Sequence, residues 1–191
     1  MRRFWSAFSR LCVDVALSLV GRSPYKTRND RAQANERRSF MQRTLILLKP
    51  DAVQRRLIGT LIQRFEQKGL RLAGMKLVHA GRDLAEKHYA VHKGKPFYES
   101  LLQFLGAGPT VALVWEGREA VAVARTLMGP TDGTKAPPAT IRGDFAISVQ
   151  NNLVHGSDSP ENAAQEIALW FKPEELLNYS LVDAAWVAGR E

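Results

Sequence analysis

The 191-residue sequence contains a single cysteine, Cys12, and no long run of apolar residues. One cysteine cannot form an intramolecular disulfide or a thiolate metal cluster, so both are excluded. A transmembrane helix needs about 18 consecutive apolar residues, and no window approaches that length. With 45% hydrophobic and 24% charged residues, the composition is typical of a soluble globular protein with one domain, or with one domain and an extension.

Acidic residues are scarce at the start of the chain, where most of the positive charge lies. The formal net charge is +8, and residues 1–40 contribute +6 of it through nine basic and three acidic side chains. Only +2 remains for residues 41–191. Nucleic-acid binding requires clustered positive charge on the folded part of a protein, so we expect no stable nucleic-acid or membrane partner. A basic tail that binds an anionic surface is the alternative.

Residues 1–40 differ in pattern from the rest of the chain. Their first half has apolar residues at helical spacing among arginines and serines, namely Phe4, Phe8, Leu11, Val15 and Leu19. This pattern is typical of an organelle presequence, although Asp14 is unusual in one. Because Met41 directly precedes the first patterned strand, the second interpretation is a protein start at that methionine, with the preceding residues mis-annotated.

We therefore predict two parts. The first is a basic extension over residues 1–40, disordered or loosely helical, and the second is one domain over residues 41–191. We predict a cytoplasmic location for this protein. If residues 1–40 are a genuine presequence, the alternative is a mitochondrial location.

The rest of the chain alternates between strand and helix patterns. Short apolar runs predict strands over residues 43–48, 70–79, 110–115 and 145–149. Helical spacing predicts helices over residues 58–65, 84–91, 97–105 and 118–128, and Gly69 is placed to end the first of them. Ser159 and Pro160 predict the start of a last helix, whose apolar face includes Ala164, Ile167, Ala168 and Phe171. The order predicts an α+β fold of the ferredoxin-like split β-α-β type, a four-stranded antiparallel sheet covered by helices on one face.

Two common ways of binding phosphate or metal are missing. The segment GPTDGTK, residues 129–135, lacks the spacing of a P-loop, and there is no protein-kinase glycine-rich loop. His88 and His92 are four residues apart on a predicted helix, but no HExxH glutamate lies between them and no third ligand is indicated. We therefore predict that both are surface or packing histidines, and assign no residue directly to a metal.

The segment NNLVHGSDS, residues 151–159, places His155 in a small polar loop after an apolar run. Gly156 permits close backbone approach, and the N-terminus of the following helix directs its amides and positive dipole end toward the same region. Such a place suits an imidazole that accepts a phosphoryl group, because the resulting dianion is stabilised there. For a histidine considered alone a structural or solvated role is more common, so both interpretations stay open.

Four blocks of the sequence resemble the signature motifs of nucleoside diphosphate kinases. They are KPDAVQRRLIG at residues 49–59, GPTVALVWEG at 108–117, TIRGDF at 140–145 and NLVHGSDS at 152–159. The resemblance runs from Arg43 to the end of the chain and does not include residues 1–40. It implies an enzyme that transfers the γ-phosphate of a nucleoside triphosphate, usually ATP, to a nucleoside diphosphate, with Mg²⁺ carried in by the nucleotide phosphates.

The resemblance assigns the chemistry to residues around His155. This histidine matches the family residue that takes the γ-phosphoryl group and passes it on, which implies a ping-pong mechanism through a phosphohistidine. Glu166 matches the glutamate that fixes the tautomer of the imidazole, and Ser157 matches a serine of the same cluster. Tyr89 matches the tyrosine that backs the histidine, and Lys49 matches the lysine near the γ-phosphate.

The resemblance also implies nucleotide-binding residues from distant parts of the chain. They are Lys49, Phe97, Arg125, Thr131, Arg142 and Asn152. The lysine and the two arginines match cations around the phosphates, for which arginine is suited by its bidentate geometry. The threonine and asparagine match contacts to phosphate and sugar. The phenylalanine matches the aromatic on which the base stacks, and stacking tolerates every base.

One loop departs from the family pattern. Gly133 and Thr134 stand where the family often has a Pro-Ala pair, and Ala139 replaces the glycine usually found before TIRGDF. An alanine at a position that needs positive φ would cost about 1 kcal/mol. The departures concern the loop that carries Thr131, and they bear on its rigidity and on subunit contacts more than on the catalytic assignment.

The resemblance further implies a homo-oligomer, a tetramer or hexamer built from dimers. A catalytically idle relative that serves as a scaffold subunit is the alternative function. The joint presence of the catalytic histidine, its glutamate and the phosphate-binding cations argues against that alternative.

Overall fold

The computed structural model describes residues 41–187, in which strands and helices alternate. The strands are β1 (Met41–Leu48), β2 (Arg71–His79), β3 (Pro109–Arg118) and β4 (Val154–Gly156). The α-helices are α1 (Pro50–Gln54), α2 (Ile58–Gln67), α3 (Arg82–His88), α4 (Tyr98–Gly106), α5 (Ala120–Met128), α6 (Ile141–Phe145), α7 (Pro160–Trp170) and α8 (Ala184–Val187). Short 3₁₀ helices span Ala90–His92, Gly133–Lys135 and Pro173–Glu175. The predicted extension over residues 1–40 lies outside the described residues, so the domain boundary stays a prediction.

The four strands form one antiparallel sheet in the order β2-β3-β1-β4. β1 lies between β3 and β4, with Thr44 opposite Trp115 on one side and Leu47 opposite His155 on the other. Residues 44–48 of β1 are completely buried, as expected of a central strand. The predicted α+β class and four-stranded antiparallel sheet are therefore confirmed, and so are the first three predicted strands.

Helices cover both faces of the sheet, so the prediction of helices on one face was wrong. Ile46 and Leu48 point to one side, where Phe65 of α2 and residues of α5 and α6 pack against them. Leu45 points to the other side and belongs to a core with residues of α3, α4 and α7, including Trp170. β1 has apolar side chains at successive positions rather than at alternate ones, and such a strand is stable only when both faces are covered.

The predicted fourth strand at residues 145–149 was also wrong. Phe145 ends α6, while Ile147 and Val149 are 89% and 59% exposed. The strand that pairs with β1 is β4, and it has three residues. The run resembles a strand in composition, but its Ile147 and Val149 side chains are directed to solvent, and the shorter segment after it completes the sheet.

The last long helix, α7, begins as predicted. Ser159 Oγ accepts a hydrogen bond from the backbone N–H of Asn162 at 3.1 Å, and Pro160 occupies the first helical position. The predicted apolar face was partly wrong, because the buried positions are Ala163, Ile167 and Trp170, and Ala164 and Ala168 are exposed. Gly69, after α2, has the positive φ of 90° that a helix-ending glycine adopts. No helix among the described residues is both long and apolar enough to span a membrane.

Ala139, which replaces the glycine usually found before TIRGDF, adopts the left-handed backbone conformation, with φ of 66°. Its backbone N–H donates to Asp144 Oδ1 at 2.8 Å. Arg64 contacts both the carbonyl oxygen of Ala139 and, at 2.8 Å, the carboxylate of Asp144. These contacts hold an alanine in a region that favours glycine.

We expect Ala139→Gly to raise the free energy of unfolding by about 1 kcal/mol, because glycine adopts positive φ without the steric cost of a Cβ atom. The measurement is urea-induced unfolding of the full chain. The matched control is Ala136→Gly in the same loop, where φ is −74° and glycine should lower stability by about 0.5–1 kcal/mol. Equal effects of the two substitutions would contradict the assignment of strain to Ala139.

Candidate active site

The candidate site is a cavity of about 950 Å³ that lies where β1 ends, beside β4. Nine of the ten residues predicted from the sequence line it, namely Lys49, Tyr89, Phe97, Arg125, Thr131, Arg142, Asn152, His155 and Glu166. The tenth, Ser157, is buried behind the cavity wall. The fold thus brings together side chains that are separated by about a hundred positions in the chain.

His155 is the central residue of β4, not a loop residue as the sequence suggested, and it pairs with Leu47 of β1. Its side chain is 25% exposed and reaches the cavity. The ring nitrogen Nε2 lies 2.9 Å from Oε1 of Glu166. Because a carboxylate only accepts hydrogen bonds, Nε2 of the neutral ring carries the proton, and Nδ1 keeps its lone pair.

A chain of hydrogen bonds fixes Glu166. Its Oε2 accepts from the Ser157 hydroxyl at 2.5 Å, and Ser157 Oγ accepts from the backbone N–H of Leu45 at 3.2 Å. Burial favours the neutral carboxyl, but the hydrogen bonds from His155 and Ser157 outweigh it and hold the pKa of Glu166 below its ordinary value. The charged carboxylate is therefore anchored, through Ser157, to β1 and orients the imidazole.

Lys49 directly follows β1 and is buried. Its Nζ donates to the carbonyl oxygen of Gln150 at 2.7 Å and to Oδ1 of Asn152 at 2.6 Å. Burial lowers the pKa of Lys49 to about 8; the charge of Asp51 opposes this effect and that of Arg142 adds to it. The site therefore contains an ammonium group that loses its proton much nearer to neutral pH than an ordinary lysine does.

Asn152 connects this lysine to the loop after α5. While its Oδ1 accepts from Lys49, its Nδ2 donates to the carbonyl oxygens of Thr131 and Val149, each at 2.8 Å. The Thr131 side chain lies exposed in the cavity wall. The contacts of Asn152 are thus with protein groups, and they hold the threonine loop in place.

Arg142 and Arg125 bring two further positive charges to the cavity. Arg142 is buried and donates to the carbonyl oxygens of Gly129, Asn152 and Val154 at 2.7, 3.3 and 2.7 Å. Burial, and then the charge of Arg125, lower the pKa of Arg142 to about 10. None of these three acceptors carries a charge, so the guanidinium charge is left to interact with an anion in the cavity.

Two aromatic residues line the cavity. Tyr89 follows α3 and is buried. Its burial, and to a smaller extent the charges of Glu166 and Asp51, raise the pKa of Tyr89 to about 12. The phenol is therefore neutral. Phe97 precedes α4 and is 48% exposed. Its ring makes an edge contact with the ring of His92, with centroids 5.6 Å apart and planes at 61°. An exposed aromatic ring at this place suits the stacking of a planar group.

His88 is a site residue whose place the sequence did not reveal. It ends α3, whereas His92 lies in the following 3₁₀ helix, so the two histidines are not on one continuous helix. The ring of His88 is buried against that of His155, with centroids 4.4 Å apart and planes at 81°. Burial, and then His155, lower its pKa to about 3, so the ring is neutral. No spacing rule signals such a contact, because it depends on how α3 packs against β4.

The arrangement can perform a specific kind of chemistry. A ring nitrogen with its lone pair free lies in the same cavity as the cationic side chains of Lys49, Arg125 and Arg142. The charged carboxylate of Glu166 holds the opposite ring nitrogen. Nucleophilic catalysis requires such an oriented nucleophile. Phosphoryl transfer additionally requires positive charge around the transferred oxygens.

The chain is similar to proteins that are described as nucleoside diphosphate kinases. The family model described as nucleoside diphosphate kinase matches residues 42–176. The nucleoside diphosphate kinase of Carboxydothermus hydrogenoformans is 56% identical over 147 residues, which cover 77% of this chain and 99% of that protein. That of Thermosynechococcus vestitus is 54% identical over 147 residues, covering 77% of this chain and 98% of that protein.

Solved structures agree with this result. A nucleoside diphosphate kinase family protein from Babesia bovis has a TM-score of 0.75 and 44% identity, over 76% of this chain and 99% of that chain. A halophilic nucleoside diphosphate kinase from Halobacterium salinarum, solved in complex with CDP, has a TM-score of 0.75 and 44% identity, over 76% of this chain and 97% of that chain.

The lowered pKa of Lys49 predicts a pH-dependent affinity for anions. We expect the binding of inorganic tripolyphosphate to weaken between about pH 8 and pH 10, because the free site then loses the ammonium proton that the bound anion favours. Isothermal titration calorimetry at several pH values measures this. The Lys49→Arg variant keeps its positive charge over this range. The ratio of the wild-type affinity to the Lys49→Arg affinity at each pH therefore cancels the effect of the ligand's own ionisation. A ratio independent of pH would contradict the prediction.

Proposed function

Because the chain belongs to the nucleoside diphosphate kinase family and is a phosphotransferase with that family's activity, we propose that the phosphoryl group passes through His155. The observation that carries this proposal is the 2.9 Å contact between Nε2 of His155 and the charged Glu166, made inside a cavity that also holds Lys49, Arg125 and Arg142. The substrate enters as a nucleoside triphosphate, usually ATP, and the acceptor is a nucleoside diphosphate.

The proposed reaction has two half-reactions at one site. The lone pair on Nδ1 of His155 forms a bond to the γ-phosphorus, and the bond from that phosphorus to the β-γ bridging oxygen breaks, so a nucleoside diphosphate leaves. In the second half, a terminal oxygen of another diphosphate attacks the phosphorus and the N–P bond breaks. Nε2 keeps its proton throughout, and its hydrogen bond to Glu166 stabilises the positive charge that develops on the ring.

The remaining residues bind and orient the nucleotide in this proposal. Lys49, Arg125 and Arg142 neutralise phosphate charge, which is the main requirement of phosphoryl transfer. Thr131 contacts phosphate from a loop that Asn152 holds in place. Phe97 supplies an exposed ring for base stacking. Tyr89 and Ser157 act behind the reacting atoms, the first through packing and the second through its hydrogen bond to Glu166.

Mg²⁺ fits the cavity as a partner of the nucleotide phosphates. This ion prefers oxygen ligands, retains several waters, and is held by one or two carboxylates together with substrate phosphates. The carboxylate of Asp158 lines the cavity and is hydrogen-bonded through Oδ1 to Asn162 at 2.7 Å. The bound ion would neutralise phosphate charge, while this chain's cations hold the same phosphates from the cavity wall.

We further propose a homo-oligomer in which β2 takes part in the subunit contact. β2 is an edge strand of the sheet, and its Met75 and Leu77 are 57% and 65% exposed. An edge strand with exposed apolar side chains favours pairing with another chain. The cytoplasmic location, with the mitochondrial alternative, remains a prediction because residues 1–40 lie outside the part that the structure describes.

Incubation with ATP labelled in the γ-phosphate should give one acid-labile, base-stable phosphate on His155. His155→Ala should abolish both this label and turnover. Glu166→Gln should slow labelling by about tenfold or more, because an amide donates as well as accepts and no longer fixes the Nε2–H tautomer. Mass spectrometry of the labelled peptide and stopped-flow kinetics measure these changes. Full labelling of the His155→Ala protein would refute the proposal, and so would an unlabelled wild-type protein.

Leu77→Glu should shift the protein toward smaller species, because a charge on an apolar interface must be desolvated on association. Sedimentation velocity measures the mass. Val91→Glu is the matched control, since Val91 is 78% exposed but lies outside β2. An unchanged mass for Leu77→Glu would count against β2 as the contact.

A further inference from the structure

The His88 side chain carries a polar atom for which the fold supplies no partner. The ring is 8% exposed, and among residues 41–187 its Nε2 is buried without a hydrogen bond. On the other side of the ring, Nδ1 accepts from the indole N–H of Trp170 at 3.3 Å. A buried polar atom without a partner costs free energy, so its presence beside a cavity calls for a ligand.

The His88 ring belongs to a group of three potential metal ligands. One donor atom each from His88, His155 and Glu166 lies within 4.8 Å of the others. The side chains of His155 and Glu166 are 25% and 19% exposed, so an ion in the cavity can reach them. The three residues come from α3, β4 and α7, and the packing of these elements therefore preforms the group.

We propose that His88, His155 and Glu166 bind a divalent transition-metal ion of the Zn²⁺ type, and that the bound ion inhibits the enzyme. Two imidazole nitrogens and one carboxylate oxygen are a common ligand set for zinc, with the fourth position open to water or phosphate. Magnesium prefers an all-oxygen set. The site is therefore distinct in its chemistry from the Mg²⁺ that accompanies the nucleotide.

The distances agree with this ligand set after a small adjustment. Zinc–ligand bonds of about 2.0–2.2 Å place tetrahedral donors roughly 3.3–3.6 Å apart. The His155–Glu166 contact of 2.9 Å is slightly shorter than this, and the largest separation in the group is at most 4.8 Å. Side-chain movements of about 1 Å thus suffice, and no strand or helix has to shift.

Inhibition follows from the position of a single proton. An ion bound through Nε2 of His155 displaces the proton from that nitrogen, and the neutral ring then carries its proton on Nδ1. Nδ1 no longer has a lone pair for the γ-phosphorus, and Glu166 is held by the ion. This consequence rests on the proposed role of His155 in phosphoryl transfer, whereas the binding of the ion does not.

Trp170 provides a test that separates this site from unspecific metal binding. Because the indole donates to Nδ1 of His88, the proton of that ring lies on Nε2, the atom proposed to bind the ion. Binding moves this proton to Nδ1 at the expense of the hydrogen bond from Trp170. Trp170→Phe removes the competing donor and should tighten metal binding, whereas loss of His88 should weaken it.

The experiment titrates the full, nucleotide-free chain with Co²⁺ and with Zn²⁺. We expect one ion per chain, visible Co²⁺ bands of tetrahedral intensity, and displacement by Zn²⁺ but not by excess Mg²⁺. His88→Phe, which keeps an aromatic ring in the core, should weaken binding about 10- to 100-fold, and Trp170→Phe should strengthen it. His79→Gln, His92→Gln and Cys12→Ser are the controls and should bind as the native chain does.

Several results would overturn the proposal. An unchanged affinity of His88→Phe removes His88 from the site. A lower affinity of a control variant contradicts the proposed ligand set. Weaker binding by Trp170→Phe, with its helical circular dichroism intact, contradicts the proton argument. If the ion binds in a way that depends on His88 but the enzyme keeps its phosphotransfer activity, the proposed inhibition is contradicted. Failure of the proposed function is recognised separately, by the absence of labelled phosphate on His155 in the metal-free enzyme.

Discussion

The pairing of the three-residue strand β4 with the inner strand β1 determines the geometry around His155. β4 places His155 opposite Leu47, and two residues later Ser157 contacts Leu45 both through its backbone N–H at 3.2 Å and through its hydroxyl. The serine then holds Glu166, and Glu166 holds the imidazole. The orientation of a catalytic ring is thereby tied to a strand that contributes side chains to both cores and cannot move without disrupting them.

The second constraint is the burial of positive charge without a carboxylate directly bound to it. Lys49 and Arg142 are both buried, and the hydrogen bonds described for them go to backbone carbonyls and to one amide oxygen. Their lowered pKa values express the cost of this arrangement. The cost is offset when a phosphate enters, so the site is built for an anion rather than for its own stability.

Part of this could be predicted from residues alone. Hydrophobic spacing located three of the four strands, and the Ser159-Pro160 pair located the start of α7, because those signals are local. The residues 145–149 and 154–156 show the limit, since both are short and partly apolar, and only pairing with β1 distinguishes a strand from an exposed loop. The single-face prediction failed for a related reason, because the pattern of β1 does not say what covers its second side.

The sequence by itself determined which side chains are available, their chemical types and, through the signature motifs, their expected roles. It also raised the expectation of strain at Ala139, which stands where the family usually has glycine, and the φ of 66° agrees with that expectation. Only the tertiary structure decided the contact of His88 with His155, the burial that lowers the pKa of Lys49, and the hydrogen bonds of Asn152 to other protein groups. These depend on distances between segments far apart in the chain, and pairwise electrostatics and burial are set by such distances.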